Sequence, residues 1–219
     1  MRRLIRDNAL SLVMFGLFAL FLLGQGVTGF QVLDEERTSH GQPPIGPLDY
    51  LTSGHFVEAT FENWESEFLQ MGALVLLTVA LHQRGSKESK DPDAEEEVDR
   101  EPDPTRPGAP GPMRVGGLVR EVYEHSLTLA LFGLFFASFA LHALGGLGEH
   151  DRELAAHGEP PVGLVEFVES PDFWFQSFQN WQSEFLSVGV LVVLTIFLRQ
   201  RGSPESKPVD EPHTTTGGG

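Results

Sequence analysis

Four stretches of this chain lack Asp, Glu, Lys and Arg, and strongly polar sequence separates them. Residues 8–33 and 125–148 are long enough, at about 1.5 Å per helical residue, to cross a hydrocarbon layer of about 30 Å. Residues 68–83 and 185–198 are shorter, and each follows a polar, aromatic-rich segment. The pattern predicts an all-α membrane protein with four transmembrane helices, at 8–30, 64–83, 125–147 and 181–200. Ahead of the second span of each pair, Phe56, Phe61, Trp64 and Phe68 recur at helical spacing, and the second copy is more aromatic, with Phe173, Trp174, Phe175, Phe178, Trp181 and Phe185. They predict an amphipathic outer-loop helix running into the following span. Ser53 and Ser170 stand where such helices are capped, and Ser170-Pro171-Asp172 is a strong start signal.

The two pairs are copies. Residues 3–90 align without gaps on residues 120–207 at a constant offset of 117, with 37 identities in 88 positions. His40-Gly-Gln-Pro-Pro44 returns as His157-Gly-Glu-Pro-Pro161, and Asn63-Trp-Glu-Ser-Glu-Phe68 as Asn180-Trp-Gln-Ser-Glu-Phe185. Gln83-Arg-Gly-Ser-Lys-Glu-Ser-Lys90 returns as Gln200-Arg-Gly-Ser-Pro-Glu-Ser-Lys207. The expected organisation is a two-span repeat at 1–90, an acidic Pro/Gly-rich linker at 91–116, a second repeat at 117–207 and a disordered tail at 208–219. Phe15-Gly-Leu-Phe18 and Phe132-Gly-Leu-Phe135 place a glycine in the first span of each repeat, a site for close helix approach.

Charge sets the orientation. The net charge is −16, which argues against a nucleic-acid partner. Of 15 Lys and Arg, 13 lie at Arg2, Arg3 and Arg6, within 84–120, or within 199–207. Each loop inside a pair holds one arginine, Arg37 or Arg152. The positive-inside rule then puts both termini and the linker in the cytoplasm, with the two repeats inserted the same way up. The N-terminal run reads as a retained span, because its repeat partner lies mid-chain. There is no cysteine, so thiol chemistry, disulfides and Cys-ligated metals are excluded.

Candidate chemistry gathers on the second spans. Asn63, Ser66 and Glu67 share one helical stripe, repeated as Asn180, Ser183 and Glu184. Glu184 lies fifteen residues before Arg199, about 22 Å of helix, which is less than the hydrocarbon thickness. A carboxylate at that depth is a candidate ion, proton or solute site, and two brought together could share a proton. The plainer alternative has Glu67 and Glu184 facing headgroups or pairing with His40 and His157, which would hold the outer loops down. Trp64, Trp174 and Trp181 read as an interfacial aromatic belt. His82 and His125 suggest two haem ligands, but their repeat partners are Arg199 and Asn8, so no cofactor is expected; no zinc spacing, phosphate loop or nucleophile elbow occurs. An enzyme is therefore not expected. The repeated blocks resemble an uncharacterised prokaryotic family of four-span membrane proteins, one of the domains of unknown function. That resemblance implies a prokaryotic cell membrane and carries over no functional residue. Two readings stand: a structural or interaction protein whose aromatic outer caps bind lipid, another membrane protein or a second copy, and a small ion, proton or solute channel or carrier using Glu67 and Glu184.

Overall fold

The computed structural model describes residues 2–217, with side chains from Ile5 onward; Arg2 and Arg3, counted above for orientation, have side chains outside that range, as do the last two tail residues. Among the described residues the chain is helical without strands: α1 (Arg2–Asp7), α2 (Ala9–Ser39), α3 (Pro47–Tyr50), α4 (Gly54–Leu77), α5 (Gly111–Val115), α6 (Gly117–Glu124), α7 (Ser126–His157), α8 (Leu164–Val168) and α9 (Pro171–Phe197), with one 3₁₀ turn at Glu97–Asp99. Three of these, α2, α7 and α9, are long and apolar enough to cross a membrane, as in a multi-pass membrane protein. The fourth expected span differs. Helix α4 carries Glu58, Glu62, Glu65 and Glu67 between residues 58 and 67 and leaves α geometry at Leu77. Its charge-free part, residues 68–77, covers only about 15 Å. Beyond Leu77 the chain tightens: the N–H groups of Val79 and Ala80 donate to carbonyls three residues back.

The chain forms two compact units, residues 1–61 with 140–174 and residues 62–139 with 175–219. In the first, α2 and α7 end beside each other, since Arg152 Nη2 donates to Glu36 at 3.1 Å and also binds Glu149. Glu149 and Glu36 push the guanidinium further above its ordinary value, against the opposing effect of burial. Both helices end through the same local chemistry. Gly41 and Gly158 take φ of 71° and 77°, a region that favours glycine. Asp34 then accepts the Ile45 N–H at 2.9 Å, and Asp151 accepts the Val162 N–H at 2.9 Å. Each short loop helix tucks an aromatic ring onto a glycine of the preceding long helix, Tyr50 onto Gly29 and Phe167 onto Gly146. Ser53 and Ser170 cap as expected, each accepting the N–H three residues on at 3.3 Å.

The glycines at which helices approach are not the ones the sequence suggests. Gly16 and Gly133 have nothing within 4 Å of a notional Cβ. The close crossing is between α4 and α7, where Gly54 faces the backbone of Gly145, Gly148 and Glu149, and Gly145 faces that of Glu58. The repeat motif marked glycines kept in both copies, whereas this crossing uses glycines whose partners are Pro171 and Thr28.

In the second unit α4 and α9 lie side by side and run in the same direction, as the successive contacts Glu65–Trp181 and Ser86–Thr195 require. Composition predicts a disordered tail, but residues 208–217 are docked. Lys207 is buried, and its ammonium donates to the carbonyls of Gly85, His213 at 3.1 Å and Thr215 at 2.8 Å. The Gly85 N–H donates to Thr216 Oγ1 at 2.8 Å, and the Gly217 N–H to the Ser86 carbonyl at 2.9 Å. Burial, with Arg199 adding to it, pushes the Lys207 ammonium below its usual range. The linker is likewise tied down by ion pairs, Arg84–Asp93 at 2.7 Å and Lys90–Asp99 at 2.6 Å.

Glu88, in the loop after α4, has a buried Oε1 without a hydrogen-bond partner. Burial, with Glu205 adding and Lys87 opposing, holds its carboxyl above the usual range. The native state therefore keeps a proton over a pH window in which the unfolded chain has lost it. That stabilisation is complete below the ordinary Glu value and disappears as pH rises through the raised one. Glu88→Gln should then raise the melting midpoint at about pH 8, with the difference from the parent shrinking toward about pH 4. A difference that does not change with pH would count against this account.

Candidate functional site

The site is built on the paired second-half helices of the second unit. Helix α4 presents Glu65, Ser66 and Glu67 in succession, and successive helical residues turn by about 100°. Ser66 is buried, with Glu65 on one side of it and Glu67 on the other. The carboxyls of Glu67 and Glu184, which are repeat partners, lie near enough to influence each other electrostatically. Ionised carboxylates only accept, so a hydrogen bond between the two would require a shared proton. On the other flank, Glu65 is fully buried and accepts the indole N–H of Trp181 at 2.8 Å. The Trp181 ring lies edge-on to Phe135 at 6.2 Å and to Phe178 at 5.6 Å.

Of the residues singled out in the sequence, Glu67 and Glu184 lie near each other, and Ser66, Ser183 and Asn180 bond within their own helices. The Ser66 and Ser183 hydroxyls each donate at 2.8 Å to the carbonyl three residues back, at Asn63 and Asn180. Asn180 Nδ2 donates to the Gln176 carbonyl at 3.2 Å. The loop histidines have local partners: His40 Nδ1 lies 2.9 Å from the Glu36 carbonyl and His157 Nδ1 lies 2.8 Å from that of Glu153. Each stands at a helix C-terminus, where carbonyl oxygens have spare acceptor capacity for a ring nitrogen. All three tryptophans are half-buried: Trp181 packs against α4 and Phe135, and Trp174 lies edge-on to Phe173 at 5.7 Å.

Sequence reasoning missed Glu65, because its repeat partner is Gln182 and attention fell on acids kept in both copies. The available signal was four glutamates in ten residues on a helix expected to enter the membrane. It also missed the polar positions of the first unit. Gln25 Nε2 donates to Thr60 Oγ1 at 3.2 Å; His142, the repeat partner of Gln25, is fully buried and stacks on Phe173 at 4.9 Å. Nearby, Tyr50 is buried and its hydroxyl lies 3.3 Å from His55 Nδ1; burial, with Glu149 adding, raises its phenol above the usual range.

A family model for a domain of unknown function, DUF6766, matches residues 1–218. The chain belongs to the DUF6766 family. No curated protein and no solved structure matches it.

Proposed function

We propose that this DUF6766 protein is a four-span protein of a prokaryotic cytoplasmic membrane, built as two tandem parallel repeats with both termini inside, and that it moves protons or a small cation through the Glu67–Glu184 pair. The observation that carries the reading is the nearness of the two repeat-partner carboxyls, close enough to interact electrostatically. Carboxylates at membrane depth are costly unless they serve a solute or a proton. Four spans are supported by the parallel ends of α2 and α7 in one unit and the parallel course of α4 and α9 in the other. In such an arrangement α4 completes its crossing through the tight turns after Leu77. The expected result in proteoliposomes is dissipation of an imposed proton or alkali-cation gradient by the parent chain, and the empty-liposome rate for Glu67→Gln/Glu184→Gln. Undiminished flux in that double variant would sink the carboxyl-pair reading.

The second reading, a structural or interaction protein with an aromatic outer cap, draws on exposed apolar side chains such as Phe175 and Leu48, 68% and 81% accessible. It is favoured if the parent chain moves no ion at all yet co-purifies with lipid, a membrane partner or a second copy.

A further inference from the structure

The Trp181–Glu65 hydrogen bond and the neighbouring Glu67–Glu184 pair stand on opposite flanks of one seam between α4 and α9. Glu65 and Glu67 are about 200° apart around α4, with buried Ser66 between them. On α9, Trp181 and Glu184 are three residues apart and so share a face. The indole is long enough to reach across to Glu65 on the buried flank, where Phe135 and Phe178 hold its ring. Turning α9 in either direction about its axis would break the bond or part the pair. We infer that the Trp181–Glu65 bond is a positioning clamp that sets the rotation of α9 against α4 and thereby brings the Glu184 carboxyl to Glu67. Its consequence for transport rests on the carboxyl-pair reading; the clamp itself is a matter of geometry.

Among the described residues the clamp occurs once. Its repeat equivalent would join Trp64 to Gln182, but the Gln182 amide donates to the Gln179 carbonyl of its own helix at 3.1 Å and is exposed. The neutral amide gives an indole a weaker partner than a carboxylate, whose charge-assisted bonds are roughly twice as strong. The two glutamates of the pair are consequently held differently: Glu67 follows directly from Glu65 on α4, whereas Glu184 depends on the bond made by Trp181.

The absence of cysteine makes the test direct. Glu67→Cys/Glu184→Cys is treated in detergent with a short bifunctional thiol reagent, because neighbouring glutamate tips leave the Cβ atoms farther apart than the roughly 3.8 Å a disulfide accepts. Monomeric cross-linked product is then followed with time. Against this background Trp181→Phe removes the N–H and keeps a ring, Glu65→Leu removes the acceptor, and Glu65→Gln keeps one. The expected result is a rate lowered about tenfold in the first two, the ratio given by loss of one charge-assisted hydrogen bond, and little changed in Glu65→Gln. Cross-linking at the parental rate in Trp181→Phe and Glu65→Leu overturns the inference. Should Trp181→Phe fail to accumulate, the chain with Trp64→Phe and Trp174→Phe keeps Trp181 as its one indole. Its emission shifts on Glu65→Leu and not on Glu65→Gln if the clamp exists, and equal emission in all three overturns it. Neither readout uses flux, so a parent chain that cross-links as expected and transports nothing refutes the proposed function while leaving the clamp intact.

Discussion

Gly145→Ala is expected to cost the fold about 1–3 kcal/mol, although it adds one methyl group to a helix and alanine is the better helix former. A Cβ at this position would stand 2.5 Å from the Glu58 backbone nitrogen and 2.9 Å from Val57 Cγ1. The obstruction is main chain, so no rotamer change relieves it, and α4 must move away from α7. Movement there also disturbs Gly54, whose own notional Cβ is 2.6 Å from the Glu149 nitrogen and 2.7 Å from the Gly145 carbonyl oxygen. Gly133→Ala is the matched control: nothing lies within 4 Å, and replacing glycine inside a helix gains about 0.5–1 kcal/mol. Melting in detergent, followed by tryptophan emission, separates them, at roughly 2–4 °C per kcal/mol for a chain of this size. Equal midpoints for the two variants would show that the α4–α7 crossing is looser than described.

That pair of glycines illustrates what could be read from the chain beforehand. The apolar runs at 8–33 and 125–148 foretold α2 and α7, because long charge-free helices announce themselves through composition alone. The caps at Ser53 and Ser170 were equally legible, since capping depends on residues a few positions apart. Gly145 and Glu65 were not. Their roles depend on which helix face meets which neighbour, and that is decided by packing across the bundle. Comparing the copies sharpened the search for residues kept twice, such as Glu67 and Glu184, and for the same reason hid contacts made once. The end of α4 at Leu77 was missed for a related cause: charge-free sequence to Gln83 says nothing of the turn in which Lys207 and the tail bind the loop at Gly85 and Ser86.

Arg152→Leu should be the most damaging single change in the first unit, with a loss on the order of 2–4 kcal/mol. The guanidinium joins the ends of α2 and α7: its side chain is 18% accessible, and it serves Glu149, itself 13% accessible, and Glu36 together. An exposed ion pair would be worth little, but removing this arginine leaves two acids facing each other with their cation gone. The cost then lies mainly in the stranded charges. It follows that neutralising them repairs the damage: Arg152→Leu/Glu149→Gln should recover about half or more of the lost stability, and adding Glu36→Gln should recover more. Arg152→Lys offers one point charge in place of a planar fork and is expected to fall between parent and Leu variant. Melting midpoints across this series test the assignment. If the glutamine substitutions deepen the loss instead of relieving it, the acids are held by partners other than Arg152, and the junction between α2 and α7 must be sought in the packing of Tyr50 and Phe167 on their glycines.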